Sequence, residues 1–264
     1  MKKKIPKNIH YVWVGNNEKS ELAIACINSW KKHLKDYTFY EWNESSFDVD
    51  SNYQVKKALE QENYAYASDI IRVYALKEYG GIYLDTDVLL LNNLDSLLNN
   101  ELFLCYESKY WFGSAVIGAS KDNPIINLIW ERYLNDNEIK FNTNALTVHA
   151  FTSALKYLYN FKPNGKTYKF NDIKLLSSDY FYPINYMTLN KKLTNNTIGV
   201  HYYNGSWHNK KQKHGFGFAQ ISRKILGKSI FSLFEKIVAN SYHKILNKEF
   251  IKIEEKTYER NNKS

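Results

Sequence analysis

Two aspartates, Asp85 and Asp87, directly follow a short apolar run in the sequence. The run Ile82-Tyr83-Leu84 predicts a strand. If strand geometry persists, the two carboxylates point to the same side, because side chains two residues apart share a face. Adjacent carboxylates repel unless a cation lies between them, and hard divalent cations prefer oxygen ligands and often share them with a substrate phosphate. We therefore predict a metal-diphosphate site at the carboxyl edge of a sheet, where open α/β sheets bind ligands.

The stretch before these aspartates predicts a helix that ends at a glycine. From Tyr64 to Tyr79 apolar residues recur at three- and four-residue steps, and Gly80 suits the turn that ends helices. Asp69 and Arg72 lie three residues apart on this helix and share a face. They could present a carboxylate and a guanidinium to one polar ligand. Alternatively, they form an ordinary intrahelical ion pair, worth only ~0.2–0.5 kcal/mol.

A second Asp-x-Asp pair in the chain shows that context decides. Asp48 and Asp50 lie in a polar stretch with no apolar strand before them, which predicts a solvated loop.

The residues around the first pair carry a family resemblance. The pattern SD-x-x-R, then GG-x-Y-x-D-x-D, resembles the sugar-nucleotide signature of glycosyltransferase family 32, the DXD enzymes. This family includes bacterial capsule and oligosaccharide transferases and fungal mannosyltransferases, and the catalytic domains of large clostridial glucosylating toxins are similar. The resemblance implies a Rossmann-like fold of the GT-A type. The matching residues are Ser68, Asp69, Arg72, Gly80, Gly81, Tyr83, Asp85 and Asp87.

Strand and helix patterns alternate along the first part of the chain. Strands are predicted over 9–14, 37–42 and 82–84, with helices over 21–34 and 64–79. This order predicts an α/β class with a parallel sheet and crossover helices. No G-x-G-x-x-G fingerprint accompanies it, which disfavours a dinucleotide cofactor.

The first predicted strand ends in a tryptophan that the resembling families also have. There it stacks on the donor base, so the resemblance implies that Val12 and Trp13 contact the nucleotide, together with Ser68 and Tyr83. Stacking on a base is worth ~1–3 kcal/mol in nucleic-acid binders. Without the resemblance, Trp13 reads as a core residue.

A second cluster of polar and aromatic residues follows a predicted strand near residue 200. His201, Asn204 and Ser206 could each bind a metal or hold a metal-bound water. The segment resembles the family's H-x-x-x-x-SW segment, which returns to the metal opposite the aspartates. By that resemblance Asn204, Ser206 and Trp207 serve the metal and the phosphates.

The middle of the chain is less informative. Strands are predicted over 102–106 and 115–118, and Glu107 is predicted to lie in the loop between them, solvated or facing the sugar or acceptor. A helix is predicted over 145–159, where His149 is assigned a structural role.

Most of the net charge of +9 lies near the end of the chain, where residues 209–252 carry 10 Lys and Arg against 2 Glu. Apolar residues recur with helical spacing between these lysines. Basic amphipathic helices lie on anionic membranes, but such a stripe could also pack on the catalytic domain or on a second protomer. No recognition motif supports nucleic-acid binding. The stripe comprises Ile221, Ile225, Leu226, Ile230, Phe231, Phe234, Ile237 and Val238.

The predicted organisation is one GT-A catalytic domain over 1–218 with a basic helical segment over 219–264. The donor half spans 1–95, and the acceptor half with the return to the metal spans 96–218. Cys26 and Cys105 lie among apolar neighbours and predict buried reduced thiols. No run approaches the ~20 apolar residues of a membrane span. We expect a cytoplasmic protein, with peripheral contact to the inner membrane face as an alternative.

The resemblance implies a bacterial, Mn²⁺- or Mg²⁺-dependent, retaining hexosyltransferase of capsule or polysaccharide biosynthesis. It would move a hexose or N-acetylhexosamine from a nucleotide diphosphate, most simply UDP, to a glycan or lipid-linked oligosaccharide. Asp87 would bind the metal directly, and Asp85 would hold the ribose, the sugar or a metal-bound water. Asp69 and Arg72 would grip the donor hydroxyls. A toxin-like enzyme acting on protein, a non-catalytic binding module, a GDP donor and a homo-oligomer stay open.

Overall fold

A computed structural model describes residues 5–135, 144–185, 189–204 and 210–261. The helices of these residues are α1 (Glu21–His33), α2 (Tyr53–Glu60), α3 (Tyr64–Tyr79), α4 (Pro124–Asn135), α5 (Asn144–Tyr159) and α6 (Lys210–Asn261). The strands are β1 (Asn8–Val12), β2 (Thr38–Trp42), β3 (Gly81–Leu84), β4 (Val88–Leu90), β5 (Leu102–Ser108), β6 (Trp111–Ala119), β7 (Tyr168–Phe170), β8 (Ile173–Leu176) and β9 (Gly199–His201).

Seven strands form one mixed sheet in the order β2-β1-β3-β6-β5-β8-β7. β1 is parallel to both β2 and β3, which confirms the predicted parallel arrangement of the first part of the chain. β6 is antiparallel to β3 and β5, and β7 to β8, so the remainder of the sheet is mixed. β4 and β9 form a separate two-stranded antiparallel sheet.

The sheet separates two apolar layers. On one face α3, α4, α5 and the second half of α6 pack against side chains such as Leu104 and Tyr83. On the other face α1 and β4 pack against the alternate side chains of the same strands, including Phe103 and Cys105. Cys26 and Cys105 are buried free thiols, as predicted.

The turn between α3 and β3 requires its two glycines. Gly80 ends α3 with φ of 61°, and Gly81 follows with φ of 124°. A Cβ atom on Gly81 would lie 2.5 Å from the carbonyl oxygen of Asn8, so no side chain fits there. His10 Nε2 lies 2.9 Å from the Gly80 carbonyl oxygen, and Nδ1 accepts a hydrogen bond from Trp42 Nε1 at 3.2 Å. The Nε2–H tautomer satisfies both bonds and ties the turn to β1 and β2.

The second half of α6 is part of the core. Leu246, Phe250 and Ile253 are buried against α4 and α5. Arg132 Nε of α4 donates to Glu249 at 2.6 Å, which adds a charged contact at the same interface. Packing on the catalytic domain, one of the predicted alternatives, is therefore what this half of α6 does.

The apolar stripe predicted for this helix is not the set that packs. Phe231 is buried, but Ile230, Phe234 and Ile237 are exposed, together with Leu233. The side chains of Ile221, Ile225 and Leu226 lie outside the described residues. No helix in the described part of the chain combines the length and apolar character needed to cross a membrane.

Candidate functional site

Asp85 and Asp87 lie in a turn rather than in a strand. β3 ends at Leu84, and the Val88 amide donates to the Asp85 carbonyl oxygen at 3.0 Å, which closes a tight turn over 85–88. The assumption of continued strand alternation was therefore wrong. The turn takes the chain out of the seven-stranded sheet and into β4, and it presents both carboxylates at the end of β3.

β4 is held in place by α1 and β9. Trp30 Nε1 donates to the Val88 carbonyl oxygen at 2.6 Å, and the Leu90 amide donates to Ser29 Oγ at 2.9 Å. Val88 is in turn paired with His201 across the β4–β9 ladder. This ladder brings a histidine from late in the chain next to the aspartates.

His201 and the residues after it contact Asp87 directly. His201 Nε2 lies 3.2 Å from Asp87 Oδ1, and the Asn204 amide donates to Asp87 Oδ2 at 2.8 Å. The Tyr202 amide donates to the Asp87 carbonyl oxygen at 3.1 Å. One ligand atom each from Asp85, Asp87 and His201 lie within 4.8 Å of one another. The two stretches singled out in the sequence therefore meet, with Asn204 contributing its main chain.

The Asp87–His201 pair is electrostatically coupled. Burial alone would raise the pKa of Asp87, but the His201 charge and the Asn204 amide lower it below its usual range. Burial likewise acts to lower the pKa of His201, and the Asp87 carboxylate more than reverses this, so the pKa of His201 is raised. The site favours a positive charge beside Asp87.

This donor set fits a divalent cation. Two carboxylates and an imidazole are ligands that Mn²⁺ accepts, and Mg²⁺ uses carboxylates with substrate phosphates. A bound cation would replace the imidazole proton, since metals bind neutral histidine. His201 Nδ1 is buried and has no hydrogen-bond partner among the described residues.

Behind Asp85 lies a buried cationic group, Arg72. Its Nη2 atom donates to Asp85 Oδ1 at 3.1 Å, and its Nη1 atom lies 3.1 Å from Asp69 Oδ1. The Tyr83 hydroxyl donates to the same Asp85 oxygen at 2.8 Å, and the guanidinium lies over the Tyr83 ring at 4.6 Å. Arg72 Nη1 also donates to the Ser114 carbonyl oxygen at 3.2 Å. The Asp69–Arg72 pair thus extends into a buried network that fixes Asp85.

The charge of Arg72 is secured by this network. Burial acts to lower its pKa, but the carboxylates of Asp85 and Asp69 more than offset that effect, and the pKa is raised above its usual value. Arg72 therefore remains a guanidinium in contact with both carboxylates.

The other predicted donor-binding residues differ in accessibility. The Ser68 hydroxyl donates back to the Ala65 carbonyl oxygen at 2.8 Å, within α3. The Val12 side chain is in the core, so only its main chain could meet a ligand. Trp13 follows β1, its Nε1 donates to the Asn17 carbonyl oxygen at 2.7 Å, and Lys19 Nζ lies 5.8 Å from its ring centre. Ser206 and Trp207 lie outside the described residues.

Glu107 is the site residue that the sequence placed wrongly. It lies within β5, not in a loop, because that strand continues to Ser108. Burial raises the pKa of Glu107, and the charge of His201 with hydrogen bonding from Trp111 and Tyr203 acts in the opposite direction. Because side chains alternate along β5, Glu107 lies on the same face as Phe103 and Cys105. A predicted strand extended beyond residue 106 would have placed it on this face.

With this geometry in view, comparison with known proteins gives a consistent result. Residues 20–104 match the protein-family model described as "Glycosyltransferase sugar-binding region containing DXD motif", and they include Asp69, Arg72 and both aspartates of the turn. An uncharacterized glycosyltransferase of Acanthamoeba polyphaga mimivirus is 29% identical over 69% of this chain and 74% of its own. The chain therefore carries the DXD sugar-binding region of glycosyltransferases.

Two further proteins show how far the similarity extends. Inositol phosphoceramide mannosyltransferase 3 of Schizosaccharomyces pombe is 31% identical over 46% of this chain, and the match spans only 35% of that protein. The solved PaToxG glycosyltransferase has a TM-score of 0.50 and 24% identity, covering 60% of this chain and 70% of its own. This second likeness concerns the fold alone, which is of the GT-A type. DXD glycosyltransferases of this fold in general use a nucleotide sugar and a divalent metal.

Proposed function

We propose that this glycosyltransferase moves a hexose or N-acetylhexosamine from UDP to a glycan hydroxyl, with retention of configuration and with Mn²⁺ or Mg²⁺. The observation that carries the proposal is the convergence of Asp85, Asp87 and His201, with ligand atoms within 4.8 Å of one another. Capsule or surface polysaccharide would be the product. The donor's bond from C1 to the phosphate oxygen breaks, a bond from C1 to the acceptor oxygen forms, and the hydroxyl proton passes to solvent.

The metal would be held by Asp87 and His201, with Asp85 as a further ligand or as a ligand of a metal-bound water. When bound, the cation supplies charge that stabilises the departing diphosphate. The Asn204 amide orients Asp87 by donating to the oxygen that His201 does not contact. Ser206 and Trp207 are proposed to close the same site over the phosphates.

Asp85 is proposed to face the donor with a fixed orientation. Arg72 and Tyr83 both bind its Oδ1 atom, which leaves Oδ2 for the ribose, the sugar or a bound water. Asp69 completes this network on the α3 side and would contact the sugar hydroxyls. Positioning of this kind holds the anomeric carbon for attack. Val12, Trp13 and Ser68 would form the nucleotide end of the site, with Trp13 stacked on the base.

The test uses the second Asp-x-Asp pair of this chain as a matched control. Asp87→Asn removes one carboxylate charge from the site, and Asp50→Asn removes one from an exposed pair with Lys56, where Asp50 is 83% exposed. We expect Asp87→Asn to abolish Mn²⁺-dependent UDP binding and to lower sugar transfer by about 100-fold or more. Asp50→Asn should leave both unchanged. Calorimetry with UDP and GDP, with Mn²⁺ or with chelator, measures the binding.

Transfer is measured by incorporation of labelled sugar into purified glycans and proteins. If labelled sugar is incorporated into protein alone, the acceptor is a polypeptide and not a glycan. Binding of UDP that is indifferent to Asp87 and to the metal would overturn the proposed site.

A further inference from the structure

A cavity of about 360 Å³ lies between α5, α6 and the end of β5. Its lining carries four lysines, Lys109, Lys156, Lys162 and Lys236, and two histidines whose pKa is lowered by burial, His149 and His243. No carboxylate of the described residues lines it. Four lysines converging on one cavity without a carboxylate make it a region of strong positive potential.

These lysines differ from other cations of the protein. Lys7, Lys19, Lys56 and Lys57 are each ion-paired with a carboxylate at the surface. By contrast, none of the four lysines of the cationic cavity has an ion-pair partner within the described ranges. Because no carboxylate of the described residues lines the cavity, an anion bound among these lysines would meet positive charge without a competing negative group.

Two further features of the cationic cavity indicate a ligand. His243 Nδ1 is buried and has no hydrogen-bond partner in the described part of the chain. Lys156 is partly desolvated, and its charge is close enough to His243 to contribute to the lowering of that histidine's pKa. A buried polar atom beside a desolvated ammonium is a place where an anionic oxygen could gain hydrogen bonds from both sides.

A second cavity, also of about 360 Å³, lies next to the first and shares Lys109 with it. Its lining is mostly hydrogen-bonding and includes Glu107, Ser108, Asn164 and Asn185. Glu107 is close enough to His201 and Asp85 for their charges to shift its pKa. The polar cavity therefore extends from Glu107 of β5 to Lys109, which it shares with the cationic cavity, and its amide, hydroxyl and carboxylate groups are suited to sugar hydroxyls.

We propose that the acceptor is a phosphorylated glycan, whose sugar occupies the polar cavity at Glu107 and whose phosphate or diphosphate occupies the cationic cavity. The inference rests on the proposed transferase function. The phosphate is bound and stays chemically unchanged, while the transferred sugar joins a hydroxyl of the sugar in the polar cavity. A volume of 360 Å³ is that of about twelve water molecules, which is ample for a diphosphate.

The same helix indicates how a lipid-linked source would be distinguished from a soluble one. Ile230, Leu233, Phe234 and Ile237 are exposed on α6, on the face adjacent to the one that carries Lys236 and His243. An alkyl chain attached to a bound diphosphate could lie along these side chains. A soluble phosphorylated glycan would make no use of them.

The test titrates inorganic pyrophosphate and geranyl diphosphate into the full chain by calorimetry, with chelator and with 0.15 M salt to screen weak surface binding. We expect saturable binding of pyrophosphate that is at least tenfold weaker in K156Q/K236Q. K31Q/K32Q removes two exposed lysines of α1, on the opposite side of the sheet, and should bind pyrophosphate as the wild type does. K236Q alone, at an exposed position, should weaken binding severalfold without any effect on folding.

Two variants distinguish this inference from the proposed function. K156Q/K236Q should keep Mn²⁺-dependent UDP binding, and Asp87→Asn should keep pyrophosphate binding in chelator. Geranyl diphosphate binding at least tenfold tighter than pyrophosphate indicates a lipid-linked acceptor, whereas equal affinities indicate a soluble phosphorylated glycan. Absence of saturable pyrophosphate binding, or equal loss in K31Q/K32Q, would overturn the phosphate site even where UDP binding is intact.

Discussion

At the scale of single residues, Arg72 is the group on which the carboxylates of the site depend. It is almost completely buried, with its side chain 5% exposed, and it contacts Asp69 and Asp85 at 3.1 Å each. Removing one partner from a buried ion pair leaves the other charge desolvated and unpaired. The Lys57–Glu60 pair on α2 has the same three-residue spacing but is exposed on both sides.

These two pairs give a matched comparison. Arg72→Met should lower the free energy of unfolding by about 3–5 kcal/mol, because two buried carboxylates lose their cation. Lys57→Met should change it by less than about 0.5 kcal/mol, since exposed ion pairs contribute little. Urea denaturation measures both. Equal, small losses would mean that Asp69 and Asp85 do not need a buried cation.

The sequence allowed the residues of the site to be predicted unevenly. The proximity of His201 to the aspartates was expected from the family resemblance, and the structure brings them together through the β4–β9 ladder. The reason given for the alignment of Asp85 and Asp87 was wrong, because a turn and not a strand holds them. Glu107 was placed in a loop because periodicity alone does not fix where β5 ends.

At the scale of elements, α6 combines two different surfaces. Its second half buries Leu246, Phe250 and Ile253 against α4 and α5, while Leu233 and Phe234, earlier on the same helix, are exposed. Two phenylalanines of one helix thus have opposite environments.

Truncation of these two phenylalanines should have different effects. Phe250→Ala should lower the free energy of unfolding by about 3–5 kcal/mol, because it leaves a cavity among α4, α5 and α6. Phe234→Ala removes a side chain that is 56% exposed and should cost less than about 1 kcal/mol. Chemical denaturation with both variants measures the difference. A tolerated Phe250→Ala would mean that α6 contributes little to the stability of the catalytic core.

Elements with strong local signals were predicted well. α3 spans Tyr64–Tyr79 as expected, because its period is clear and a glycine pair ends it. α2 was missed since it has only eight residues and depends on an Asn52 cap for its start. For α6 the helix itself was predicted correctly, but the residues that it buries were not. Helical spacing of apolar residues does not show which of them contact the rest of the protein. The division of the chain at residue 218 stays a prediction.

At the scale of the whole molecule, two buried histidines make stability depend on pH. Burial lowers the pKa of His10 to about 4, against a weaker opposing effect of the Gly80 carbonyl, and burial lowers the pKa of His149 to about 4. In the unfolded chain histidine has its usual pKa of about 6.5, so the stabilisation from neutral His10 and His149 is fully present above that pH. This stabilisation is lost as the pH falls from 6.5 toward 4.

The neutral state of each histidine should therefore be visible in unfolding. Between pH 7 and pH 5 each should contribute a loss of about 2 kcal/mol in the free energy of unfolding. In His149→Phe, which keeps an aromatic ring beside Tyr242, the loss over this interval should shrink by the same amount. Denaturant titrations of both proteins at pH 7 and pH 5 give the comparison. An identical pH dependence in the variant would show that His149 has the same pKa in the folded protein as in the unfolded chain.

The β4–β9 ladder also has a consequence for synthesis on the ribosome. Asp87 accepts the amide hydrogen of Asn204, which lies 117 residues further along the chain. At a translation rate of about 5–20 residues per second, about 6–23 seconds separate the emergence of these two partners. A nascent chain that ends before residue 201 carries the DXD residues without the His201 imidazole and the Asn204 main-chain amide that orient them. The motif by which the family is recognised is thus made early, and the site it belongs to is assembled late.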